Sequence, residues 1–314
     1  MYRVLHRINA LYTMNIPPTS SQLIGRYAGV YCFGPGKGRH DWSLNNLQTS
    51  KDVVDKLACF ELFCRLKNIA RTAGPKPIRT IFSPRLDGMH ANLVGPEDFK
   101  SGVTHTGHHL TLFRKASGSG MEIPPDTAVF FPTGDCPTVI IRSPVTFRMF
   151  AAHAGLRELI DFSRLTTGTP SRRNHSIVET IIDQFPADEI SQLQVTIVCG
   201  IGPTCYTHPV DHREYGELNR KIIAHIQSLR MGKHCVHNAE SAGRINLAAL
   251  IASQAVAKGI PASTIFTDQS DTYTDMTGGG GTETYKWWSY RRARDTENTA
   301  DMPKRNGVLV TNPT

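Results

Sequence analysis

The chain has 314 residues, 39% of them hydrophobic, enough for a sizeable core. It contains no run of about 18 apolar residues such as a membrane-spanning helix needs, which excludes an embedded protein and a membrane partner. The formal net charge of +8 is dispersed: the densest group, Arg291, Arg292 and Arg294, is followed at once by Asp295 and Glu297, and no basic stripe interleaved with aromatics marks a nucleic-acid binder.

Seven scattered cysteines without a C-x-x-C pair exclude a disulfide-stapled scaffold and place the protein in a reducing compartment, read as cytoplasmic. Residues 1–40 hold no acidic residue but do hold Arg3, Arg7, Arg26, Lys37 and Arg39. This basic segment is read as an extra strand or as a leader to a mitochondrion or other organelle, ahead of a single domain over 41–314.

Ser50 N-caps an amphipathic helix in "SKDVVDKLACFELFCRLKNIAR", with Val53, Val54, Leu57, Phe60, Phe63, Cys64 and Leu66 on the apolar side. Cys59 and Cys64 lie on or beside that face and read as small buried hydrophobes. The runs "IRTIF", "TAVFF", "TVIIR", "TFRMFAA", "QVTIVC", "STIFT" and "GVLVT" predict strands, and "LRELIDFSRL", "SIVETIIDQF", "GELNRKIIAHIQSLRM" and "NLAALIASQAVAKG" predict helices. Their mixed order gives an α+β (mixed α/β) class. Two glycine-rich stretches, "FRKASGSGMEIPPD" and "TDMTGGGGTETYK", read as mobile surface loops. The second lacks the G-K-[ST] of a phosphate cradle.

In "FPTGDCPTVIIRSPVTFRMFAAHAGLREL", Cys136 precedes one predicted strand and His153 ends the next. Thiolate and imidazole are what zinc or copper prefers, so the two make half a metal site. The bland alternative, two core residues, is the commoner fate of such a pair.

The blocks "DWSLNN", "MHANLVGPEDFKSGVT", "TGDCPTVII", "AAHAGLREL", "GIGPTCY" and "WWSYRRARDT" resemble, in order, those of the laccase-domain (multicopper polyphenol oxidase-like) family of zinc-binding purine nucleoside phosphorylases and adenosine deaminases. The resemblance runs from about Asp41 to the C-terminus. It implies two packed mixed β-sheets with outer helices, in an α/β/β/α layering, and metal ligands at His90, Cys136 and His153, three donors that leave one coordination position open. It also implies a purine nucleoside such as adenosine or inosine, with phosphate, as the small-molecule substrates. Copper is the alternative metal, although one three-donor site falls short of the several copper centres an O2-reducing laccase requires.

Departures accompany the likeness. Gly88 and Ala91 flank His90 where the family has Gln and Gly, and His105, His108 and His109 are rival ligands. Leu156, Arg157 and Glu158 stand where the family has Trp-Arg-Gly, which removes an aromatic platform and leaves Arg157 either to hold an oxyanion or to stand as an exposed helix arginine. Asp135 is a candidate to orient a ligand or accept a proton, or else to cap a turn. Cys205 and Tyr206 are candidates to line the cleft. Tyr290 and Arg291, expected at a strand end, are candidates for the substrate edge. Two other readings compete: a cysteine hydrolase with Cys136 as nucleophile and His153 as base, and a scaffold without activity.

Overall fold

The computed structural model describes residues 20–24, 28–35, 41–44, 53–61, 77–85, 91–172, 174, 176–268, 270–276 and 284–312. His90 lies outside the described residues, as do Cys64 and the four glycines Gly278, Gly279, Gly280 and Gly281.

Two mixed sheets form the centre. The seven-stranded sheet runs, edge to edge, Ser20–Ile24, Ala28–Phe33, Asn306–Asn312, Thr127–Thr133, Thr80–Arg85, Leu110–Ser117 and Val103–Gly107. Its first two strands lie within the basic N-terminal segment. The six-stranded sheet runs Ile265–Thr267, Gln194–Val198, Thr138–Arg142, Met149–His153, Gly120–Glu122 and Leu93–Val94.

Side-chain alternation sorts the strand residues into layers. Phe131, Val129, Val308 and Val310 of the first sheet meet Ile140, Met149, Ala151 and Val198 of the second in one inter-sheet core. Their neighbours Phe130, Ala128 and Leu309 turn outward to Trp42 and to Leu57 and Phe60 of the helix over 53–61. On the far side Val139, Ile141, Val195 and Ile197 pack against the helices Ile177–Ile182, Gly216–Ser228 and Leu247–Ala257. Strands covered on both faces read as continuous apolar runs, which is why "TAVFF" and "TVIIR" lack a polar alternation. The result is an α+β fold in an α/β/β/α layering.

Three expectations need correction. "FRKASGSGMEIPPD" is not a mobile loop: it holds the end of strand Leu110–Ser117 and strand Gly120–Glu122, with Gly118, Ser119, Gly120 and Met121 buried. A Cβ at Gly120 would lie 2.4 Å from Cβ of Ala152, so this glycine serves close strand approach. "LRELIDFSRL" is two short helices, Leu156–Leu159 and Phe162–Thr167, divided where Asp161 caps the second by accepting from the Ser163 and Arg164 amides. Tyr290 begins a helix, Tyr290–Asp295, capped by Ser289, and does not end a strand. Arg292 lies in the same helix. It is buried and donates to the carbonyls of Thr272, Tyr273 and Trp287 at 3.1, 2.6 and 2.7 Å.

Candidate active site

The spacing of Cys136 and His153 follows from the sheet. Strands Thr138–Arg142 and Met149–His153 are antiparallel neighbours with Thr138 opposite His153, so the residue two places before Thr138 stands beside the end of the next strand. Gly134–Pro137 is also where the chain leaves the seven-stranded sheet for the six-stranded one. The Ala154 amide donates to the Pro137 carbonyl at 2.8 Å and locks the two strand ends together.

A third group joins them. A Cβ built on Gly155 would lie 2.8 Å from Cys136 Sγ, 2.8 Å from Glu158 Oε2 and 3.1 Å from His153 Cε1, so all three side chains crowd the space that only glycine leaves open. Glu158 Oε2 is 3.5 Å from His153 Nδ1, a charge contact, and the Glu158 side chain is 2% exposed. Burial by itself disfavours the imidazolium, but Glu158 and Cys136 facing it raise the His153 pKa to about 10. Burial would likewise raise the Glu158 carboxyl, yet His153 and Arg172 hold it below its ordinary value. Nδ1 of His153 and Oε1 of Glu158 are buried without a hydrogen-bond partner among the described residues.

Asp135 is buried with both carboxylate oxygens engaged: the Thr272 hydroxyl donates to Oδ1 at 2.8 Å and the Arg291 amide to Oδ2 at 2.7 Å. It thereby fixes the first turn of helix Tyr290–Asp295 against the turn that carries Cys136. The Arg291 guanidinium lies 5.4 Å from the Tyr206 ring, which meets the His208 ring edge-on at 4.8 Å. Burial and Arg291 push the His208 pKa down to about 4, so this histidine is neutral at ordinary pH.

Two clefts meet at the pair. One, of about 490 Å³, is lined by Ser83, Arg85, Arg114, Lys115, Asp135, Tyr290 and Arg305 among others. The other, wider, is lined by Leu156, Arg157, Phe162, His208, His212, Tyr215 and Leu218 among others. Cys136, His153, Tyr206, Arg291 and Arg294 line both.

The structure thus brings together Asp135, Cys136, His153, Tyr206, Tyr290 and Arg291. Arg157 is exposed at the wider cleft, its guanidinium 5.1 Å from the Phe162 ring. Cys205 lines neither cleft and packs on the helix-side core. The rival histidines also line neither: His105 Nε2 is 3.3 Å from Arg114, and His108 Nδ1 is 3.7 Å from Glu61.

Among the described residues no three His, Cys, Asp or Glu side chains converge as a metal ion needs. The Cys136–His153 pair nonetheless suits a soft or borderline ion by donor type, because Cys136 Sγ and the His153 ring border one space beside Gly155. Sequence reasoning missed Glu158 as a member of this group. The signal was an acid five positions beyond His153, in the first turn of a helix that Gly155 begins.

Comparison with known proteins agrees with this architecture. The hypothetical protein YfiH of Bacillus licheniformis superposes with a TM-score of 0.58 at 16% identity, covering 90% of this chain and 92% of its own. YlmD of Geobacillus stearothermophilus gives 0.60 at 16%, covering 92% and 94%. A Neisseria meningitidis protein gives 0.57 at 10%, covering 95% and 97%. At these identities the likeness establishes the fold alone. No functionally curated protein matches the chain. The model of one family, described as multi-copper polyphenol oxidoreductase laccase, matches residues 121–302, a span that holds Cys136, His153, Glu158 and Arg291 and more than half of the chain. This protein therefore belongs to the multi-copper polyphenol oxidoreductase laccase family.

Proposed function

We propose that the protein is a zinc-dependent purine nucleoside enzyme that cleaves adenosine or inosine with phosphate, deaminates adenosine, or does both. The carrying observation is the Cys136–His153 pair at the junction of a basic cleft and a cleft with apolar and aromatic walls. Cys136 and His153, with His90 as the family resemblance implies, would hold the ion; when bound, zinc supplies Lewis acidity and acidifies nearby water.

The chain's own side chains divide the remaining work. Phosphate entering from the basic side meets Arg291, whose amide is anchored on Asp135. Attack of a phosphate oxygen on C1′ with departure of the base gives a ribose 1-phosphate and a free purine. Deamination replaces the 6-amino group with oxygen from water and releases ammonia. Tyr206, Tyr215 and Leu218 offer the flat and apolar surface that Leu156 does not. Glu158 holds the His153 ring from its Nδ1 side. Oxidation of phenols with copper, suggested by the family's description, ranks lower because it calls for several copper centres.

A second reading rests on Cys136, His153 and Glu158 standing together as a nucleophile, a base and an orienting carboxylate would. One experiment separates the readings. Purified protein is incubated with adenosine or inosine, with and without phosphate, and products are resolved by chromatography alongside metal analysis. Turnover lost together with about one equivalent of zinc in Cys136→Ala and His153→Ala supports the zinc enzyme. Full activity in chelator that disappears in Cys136→Ala supports the thiolate. Absence of turnover with metal fully loaded overturns the nucleoside assignment and leaves the scaffold.

A further inference from the structure

The basic cleft carries more charge than a single phosphate ion needs. Arg85, Arg114, Lys115, Arg291, Arg294 and Arg305 line it, against one carboxylate, Asp135, among the described lining residues. Both oxygens of that carboxylate are already engaged by Thr272 and by the Arg291 amide. Arg114 donates to the Leu44 carbonyl, and Arg305 to the carbonyls of Met302 and Lys304, contacts that fix a guanidinium without neutralising it. Arg294 pairs with Asp295 at 3.4 Å on the open surface, and Arg291 feels Asp295 and Asp135 without a direct ion pair among the described residues. Burial and then the neighbouring Arg294 lower the Arg291 pKa, against the opposing pull of Tyr206, Asp295 and Asp135.

The backbone supports the same conclusion. In a regular strand Arg114 and Lys115 would point to opposite faces. Here the pairing with strand Thr80–Arg85 shifts register between Ser83 and Arg85, and Lys115 takes a φ of 76°, a conformation costly for any residue but glycine. Both cationic side chains consequently line one cleft. A strained lysine held toward a cavity is the kind of outlier that persists at ligand sites. The cavity, about 490 Å³, lies in the range of sites for whole small molecules, and it opens past Arg291 and Tyr206 into the wider cleft.

We propose that this lobe holds the phosphate of a nucleoside monophosphate, a doubly charged ester spanning both clefts, so that the ligand class of the site is nucleotides and not only nucleosides. The purine half of this proposal rests on the function proposed above; the phosphorylated half rests on the basic lobe alone.

Calorimetric titration of the full-length protein with AMP, adenosine and inorganic phosphate tests it. AMP is expected to bind at least about tenfold more tightly than either adenosine or phosphate, with the advantage shrinking as salt is raised. Arg85 and Lys115 are exposed, so Arg85→Glu and Lys115→Glu alter charge at the surface and leave the core intact, which a melting curve checks. Each reversal is expected to lower the ratio of AMP to adenosine affinity by about tenfold. AMP binding no tighter than adenosine, or a ratio indifferent to both reversals, overturns the proposal. Tight AMP binding by a protein that turns over no nucleoside sinks the proposed reaction and leaves this inference standing. Nucleoside turnover without an AMP preference does the reverse.

Discussion

Replacing Gly155 with alanine probes the site through one methyl group. Gly155 has φ −73° and ψ 172°, a conformation open to any residue, so the substitution introduces no backbone strain. The new Cβ would meet Cys136 Sγ and Glu158 Oε2 at 2.8 Å and His153 Cε1 at 3.1 Å. Comfortable contacts between heavy atoms begin at about 3.5 Å, so the three side chains must retreat by roughly 0.4–0.7 Å. Overpacking of this kind costs about 1–3 kcal/mol of stability. A misplacement near 1 Å at a reacting centre costs about a hundredfold in rate, or roughly 2.7 kcal/mol in the barrier. Phosphate-dependent release of hypoxanthine from inosine, metal analysis and a melting curve measure the three consequences. The expected outcome is a folded protein melting a few degrees lower, with kcat/KM reduced about a hundredfold and zinc content diminished. A Gly155→Ala protein with wild-type kcat/KM and full metal content would show that these side chains do not act together.

Lys115→Gly should raise stability by about 1 kcal/mol, since glycine accepts the positive φ, while weakening AMP binding; a variant less stable than wild type would remove the strain argument. Asp135→Asn should cost only about 1 kcal/mol, because the amide oxygen can still accept from the Arg291 amide while the Thr272 hydroxyl turns to accept from the amide nitrogen. Asp135→Ala, which strands both donors, should cost about 3 kcal/mol in urea titration. Wild-type kcat in the Asn variant would mark Asp135 as a positioning residue, whereas loss of kcat would mark a proton carrier. Arg292→Lys should lose about 2–4 kcal/mol, since an ammonium cannot reproduce the planar fork onto three carbonyls, and an unchanged urea midpoint would contradict that account. His208 is depressed from 6.5 to about 4, so between those values the unfolded chain takes up a proton that the folded chain refuses. Stability should therefore fall as pH drops through that window, and His208→Gln should flatten the profile; equal slopes in the two proteins would count against a buried neutral His208.

Much of the architecture is legible along the chain. Short β-branched runs became strands in both sheets, and periodic apolar runs such as "NLAALIASQAVAKG" became helices, because periodicity is set by neighbours a few positions apart. Cys136 and His153 were legible as a pair for a related reason: seventeen positions span one hairpin, the shortest route by which two strand ends can meet. Composition misled at "SGSGM", where small residues signal close packing as readily as mobility, and only the position of Ala152 across the strand decides between them. Glu158 stood out in the sequence only as a departure from the family's Trp-Arg-Gly, and the fold placed it beside His153. The basic lobe was least legible, because Arg85, Lys115, Arg291 and Arg305 come from separate segments with no common spacing. Local order dictates which residues extend or coil. Which charges end up facing one another depends on which strands stand side by side, and that is settled only when the two sheets close on their shared core.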